Sequence, residues 1–220
     1  ATAVLPTPPF NPGRARHAFY EQLEARLVTR PGVHAVAAGT APPLAAGVPM
    51  AVNLTAVDEP GAQRISTQDV TTRFFETLEI PVIAGRAFDG RDQMRSVPVA
   101  MMNARAAADL FGDPQRALGQ RIRLDDESWR EIIGVVGNVR TTFFNTLEWR
   151  TGAIGYGPAT QAFSRVAPMA ASFNVWVHVR GERPISAVEV RDAASAAGSH
   201  AAVTDLQRVP ELVAQATKQP

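Results

Sequence analysis

The chain contains no cysteine. That excludes disulfides, thiolate zinc sites, iron–sulfur clusters and a cysteine nucleophile, while leaving the compartment open. Lysine is nearly absent: Lys218 is the only one, and arginine supplies the rest of the 22 basic residues. Codon bias in a GC-rich genome explains that preference as well as arginine chemistry does. Against 21 acidic residues the net charge is +1, so no global field draws in nucleic acid or an anionic membrane. No apolar run approaches the roughly 18–20 residues that span a bilayer, and no secretory leader is visible at the start, which is Ala1.

Chemical motifs are missing as well. His17, His34, His178 and His200 lie far apart without metal-ligand spacing. There is no G-x-S-x-G nucleophile elbow and no G-x-x-x-x-G-K-[ST] phosphate loop. Gly134-Val135-Val136-Gly137 is too short and apolar to cradle a phosphate and reads as a packed strand. Asp89 with Asp92, and Asp125-Asp126-Glu127, lie in turn-forming contexts and read as solvated turns rather than calcium loops. Met101 and Met102 lie in an apolar strand and read as core. No catalytic residue, cofactor-binding residue or metal ligand is assigned; the chain reads as a non-enzyme with no cofactor.

What is present is an ordinary globular composition: 45% hydrophobic and 20% charged over 220 residues, enough for one large domain or two small ones. Residues 1–6 read as an edge strand before a proline-rich loop. Residues 14–30 read as a helix, because Phe19, Leu23 and Leu27 recur every four residues and Pro31-Gly32 stops it. Residues 33–39 read as a strand, completing strand–helix–strand. Residues 41–49 form a hinge rich in proline, alanine and glycine. Strands follow at 51–57 and 63–70, then a short helix at 71–79 capped by Asp69 or Thr71. Further strands are expected at 81–84 and 97–102, a helix at 104–111, and a hairpin of 121–124 with 130–136. Residues 141–168 show no clear period, so short elements are hidden there. At 172–179, Phe173, Val175, Val177 and Val179 alternate with polar neighbours as a half-buried strand. A helix with Pro184 as its first residue, a strand at 201–206 and a last short helix bearing Val209, Leu212, Val213 and Ala216 complete the tail. Two strand–helix–strand units thus bracket an unlike middle, the pattern of a split βαβ domain carrying an insertion.

The middle carries the recognisable residues. Val70-Thr71-Thr72-Arg73-Phe74-Phe75-Glu76-Thr77-Leu78-Glu79-Ile80-Pro81 runs into Ala84-Gly85-Arg86-Ala87-Phe88. Pro98-Val99-Ala100 with Asn103, Leu110-Phe111 and Leu118-Gly119-Gln120-Arg121-Ile122 follow, then Ile132-Ile133-Gly134-Val135-Val136-Gly137-Asn138-Val139, then Tyr156, Pro158 and Gln161. Upstream stand Phe19-Tyr20-Glu21-Gln22-Leu23 and Pro31-Gly32-Val33. In order and spacing the series resembles the MacB-like periplasmic core domain of ABC-transporter permeases of the MacB/FtsX type, and comes nearest to the duplicated permeases of the acidobacterial type. Departures are Glu79 where glycine is usual, Asn138 where aspartate is usual, and residues 141–153.

The resemblance implies an α+β fold. A discontinuous porter-like subdomain, residues 1–46 and 168–220, would carry an inserted smaller mixed α/β subdomain, residues 47–167. It implies a periplasmic segment of a longer inner-membrane protein, joined to its own flanking transmembrane helices. It also implies a cytoplasmic ABC ATPase, subunit or domain, as partner, with a second permease protomer or a periplasmic partner in addition. The function implied is coupling of ATP-driven transmembrane motion to substrate export or to that partner. A periplasmic small-ligand sensor is the rival reading and requires one enclosed apolar pocket. Phe143, Phe144 and Trp149 cluster in the divergent segment without core periodicity and are the candidate partner contact.

Overall fold

The computed structural model describes residues 2–4, 12–40, 51–56, 62–124, 128–139, 141–142, 149–150, 152–161, 172–179, 185–198, 202–205 and 211. In chain order the elements are β1 (Thr2–Val4), α1 (Pro12–Val28), β2 (Val33–Gly39), β3 (Ala51–Ala56), β4 (Ala62–Val70), α2 (Phe74–Thr77) and β5 (Val82–Gly85). Then come β6 (Val99–Asn103), α3 (Ala104–Phe111), α4 (Pro114–Ala117), β7 (Arg121–Leu124), β8 (Arg130–Val136), β9 (Thr141–Thr142), β10 (Trp149–Arg150) and β11 (Ile154–Pro158). The last are β12 (Ser172–Val179), α5 (Ala187–Ala197) and β13 (Ala202–Asp205). The fold is mixed α/β, as expected.

The two ends of the chain build one antiparallel sheet in the order β13-β1-β12-β2. β1 and β2 both run antiparallel to β12, which lies between them, so each strand–helix–strand unit is split by a strand of the other. Helices α1 and α5 pack together. Phe19, Tyr20, Leu23 and Leu27 meet Val190, Ala193 and Ala194, with Val36 and Ala38 of β2 beneath. The four-residue spacing of the large α1 side chains makes this stripe. Gly32, at φ 84, turns the chain into β2.

β1 is interior, not the expected edge strand: it pairs with β12 on one side and β13 on the other. The prolines that suggested an edge begin only at Pro6, so they remove no donor from residues 2–4.

The middle of the chain closes on itself. β4 pairs with β3, β3 with β7, β7 with β8, β8 with β6, β6 with β11, and β11 again with β4. Six strands thus form a ring, and β5 adds beside β8. Closure removes the edges these strands would otherwise expose. One face holds Ile65, Ala100, Met102, Ile122, Ile132 and Val135 with Ala106, Ala107 and Leu110 of α3. The other holds Val70, Met101, Val136, Ile154 and Tyr156 with Phe74, Phe75 and Phe88. Met101 and Met102 lie on opposite faces, both fully buried, which is why β6 reads as a continuous apolar run.

Two more expectations need correction. The helix at 71–79 is a single turn whose N-cap is Arg73, with no side-chain cap; the Thr71 hydroxyl accepts the Ala38 N–H instead. The last long helix begins at Ala187 rather than at Pro184, because Ser186 and Glu189 form a reciprocal capping box. Gly112-Asp113-Pro114 ends α3 as expected, but Asp113 then caps α4, accepting the Gln115 N–H. The expected helix at 209–216 lies outside the described residues except for Glu211.

Candidate functional surface and the motif residues

The recognisable residues prove to be the scaffold of the ring. Gly85 has φ +68, and a Cβ there would sit 2.2 Å from the Ile133 carbonyl oxygen. Gly134 is equally closed, its Cβ position 2.2 Å from the Arg86 carbonyl oxygen and 2.8 Å from Met101 Cε. Only glycine lets these backbones approach. Arg86 directs its fork onto Asp92 at 2.8 and 2.9 Å. Asp92 is only 4% exposed and also accepts the Asp89 N–H. The solvated-turn reading therefore fails for Asp92, a buried counter-ion, and holds for Asp89, which is 38% exposed. Asp89 grips Arg91, whose side-chain and backbone N–H groups hold its carboxyl well below the usual carboxylate range. Asp125, Asp126 and Glu127 lie outside the described residues.

Polar motif residues tie strands together. Asn103 is fully buried; its Oδ1 accepts the N–H groups of Ala106 and Ile154, and its Nδ2 donates to the Gly152 carbonyl. One side chain thus caps α3 and holds β11 against β6. Gln161 accepts the Val99 N–H and donates to the carbonyls of Gln93 and Val97 and to Ser96 Oγ. Thr160 donates to the Asp92 carbonyl. The loop after β5 is therefore fastened at both ends, and Met94 and Val97 project from it, 49% and 63% exposed. Behind it, Phe75 packs edge-on against Tyr156, ring centroids 5.0 Å apart. Burial pushes the Tyr156 hydroxyl far above its usual range.

A charged cluster lies where the ring meets the four-stranded sheet. Arg73 pairs with both carboxylate oxygens of Glu76 and donates to the His34 carbonyl at 3.4 Å. Glu24 of α1 faces this cluster. Partial burial raises its pKa above the ordinary value, Arg73 opposes that rise, and Glu21 and Glu76 add to it.

Among the described residues no group of three or more His, Asp or Glu side chains is placed to hold a metal ion. Met101 and Met102 are core, as read. Phe143, Phe144 and His200 lie outside the described residues; Trp149 lies on β10, its backbone paired with Thr142, and its side chain is outside them, as are those of His17 and His178. No described helix is long and apolar enough to cross a membrane.

The family model of the MacB-like periplasmic core domain matches residues 4–206. The chain belongs to that family, a domain of ABC-transporter permeases. Among solved structures, the periplasmic region of MacB from Actinobacillus actinomycetemcomitans aligns with TM-score 0.57 at 11% identity, covering 100% of this chain and 92% of that one. The extracellular domain of the noncanonic ABC-type transporter YknZ from Gram-positive bacteria aligns with TM-score 0.52 at 17% identity, covering 93% and 100%. At such identities the likeness is one of fold. No curated protein matches the chain.

Proposed function

We propose that this domain stands outside the cytoplasm on an ABC-transporter permease and couples ATP-driven movement of the transmembrane helices to substrate export or to a periplasmic partner. The observation that carries the reading is that the first and last described strands are neighbours. Thr2 pairs with Asp205 across β1 and β13. A domain set between two membrane helices needs strands near each of its connections to lie together, and adjacent strands would bring a push from those helices onto one sheet. In this reading residues 1–46 and 168–220 form the membrane-linked subdomain and residues 47–167 the inserted one. The cytoplasmic ATPase is the energy source, and a second permease protomer or a periplasmic protein is the further partner. Phe143, Phe144 and Trp149 remain the proposed contact for that partner.

The test uses the full-length permease with its ATPase in lipid nanodiscs. A spin label on Val188→Cys, an exposed α5 position, reports distance to the bilayer surface. Nucleotide-dependent change in that distance is expected. A distance unchanged among apo, ATP-bound and turnover states overturns the coupling reading.

A further inference from the structure

We propose that residues 38–40 and 69–71 form a hydrogen-bonded clamp that makes the four-stranded sheet and the six-strand ring one mechanical unit. β2 and β4 share a single ladder pair, Gly39 with Val70. A junction that narrow would ordinarily act as a hinge. Two threonines change this. Thr40 donates its N–H to the Asp69 carbonyl at 3.0 Å and accepts the Asp69 N–H on its hydroxyl at 3.1 Å. Thr71 does the same to Ala38 from the opposite strand: N–H to the carbonyl at 2.9 Å, hydroxyl accepting the N–H at 2.9 Å. Each threonine therefore brackets one residue of the other strand, and its hydroxyl replaces the carbonyl that a longer ladder would supply.

The strand residues that the two half-buried threonines grip are themselves buried, and an aromatic ring backs them. Ala38, Asp69 and Val70 are at most 2% exposed. The Phe74 ring lies over Gly39, where a Cβ would meet Phe74 Cε2 at 3.0 Å. Arg73 adds its bond to the His34 carbonyl. Breaking the junction would leave buried backbone groups unpaired, which makes local opening unfavourable. The two sheets consequently move together, and displacement of the membrane-linked sheet reaches the ring without slack at this point. The clamp itself does not depend on the transport reading.

Native-state hydrogen exchange on the 220-residue chain tests it. In the wild type, the amides of Ala38, Thr40, Asp69 and Thr71 are expected to exchange only through global unfolding, with the denaturant dependence of Leu23 and Met101 amides in the two cores. In the double variant Thr40→Val with Thr71→Val, the Ala38 and Asp69 amides are expected to exchange about tenfold faster or more, while Leu23 and Met101 change little by comparison. Thr40→Ser with Thr71→Ser should keep the protection. Wild-type junction amides that exchange by local opening, well ahead of both cores, overturn the clamp, and this arm stands even if the valine variant fails to fold. Unchanged Ala38 and Asp69 protection in a folded valine variant overturns it too. A failed nanodisc experiment with a protected junction removes the coupling reading and leaves the clamp.

Discussion

The six-strand ring and the four-stranded sheet are stabilised in different ways. The sheet rests on a helix stripe of large side chains, Phe19, Tyr20, Leu23 and Leu27, which many apolar residues of similar size would satisfy. The ring rests on close approach. Two glycines have no room for a methyl group, small Ala106 and Ala107 let α3 lie on the strands, and single polar side chains such as Asn103 and Gln161 fasten several elements. The family's recognisable residues fall mostly in the ring for this reason. They mark positions of low tolerance.

The sharpest way to break that comparison is to make one change in each half. Gly134→Ala should destabilise by about 3 kcal/mol or more, because backbone atoms obstruct the new methyl group. Gly198→Ala should cost less, about 1–2 kcal/mol: its nearest obstacle is the buried Phe19 ring at 3.1 Å, a side chain rather than backbone. Chemical denaturation of both variants measures the contrast, and equal losses would erase the distinction.

The next contrast is between two helix caps. Asn103→Ala should cost about 2–3 kcal/mol, because it leaves buried donors of α3 and β11 unpaired. Ser186→Ala removes an exposed capping box from α5 and should cost about 1 kcal/mol. A similar size in the opposite direction is expected at Glu79, whose φ of 55 is the one positive value outside glycine among the described residues. Glu79→Gly should stabilise by up to about 1 kcal/mol. Thermal melts of the three variants would give these signs directly.

The smallest effect is a pH dependence. Burial raises the Glu24 pKa above its ordinary 4.5, so the folded state holds a proton more tightly than the unfolded chain. That contribution to stability is complete below 4.5 and is lost as pH rises through the folded value. Glu24→Gln should therefore raise stability at neutral pH and flatten the fall in stability above pH 4.5, read from denaturation midpoints across that range.

Much of the fold was legible because most strands and helices carry their own period or punctuation. Strand β2, helix α3 with its Gly112 stop, and the β7–β8 hairpin lie where the residues put them. β11 was hidden because Gly155 and Gly157 alternate with Ile154 and Tyr156, so one set of positions has no side chain to show a period. The S-x-x-E box at Ser186 was present in the sequence, yet the nearby Pro184 drew the helix start upstream. The burial of Asp92 had one available signal, an Arg86 needing a counter-ion, but residues six apart meet neither along a helix nor along a strand, and only the turn between them brings this pair together. The usual glycine at position 79 becomes intelligible only from the left-handed backbone there. Ring closure through β4 and β11 pairs strands far apart in sequence, which no local pattern encodes.

The most direct measurement is the side of the membrane on which this domain lies. The chain has no native cysteine, so Val188→Cys gives it a single exposed thiol. In spheroplasts expressing the full-length protein, with any cysteines outside this domain replaced, a membrane-impermeant maleimide should label that thiol fully before lysis. Labelling that appears only after the inner membrane is broken would place the domain in the cytoplasm and contradict the account.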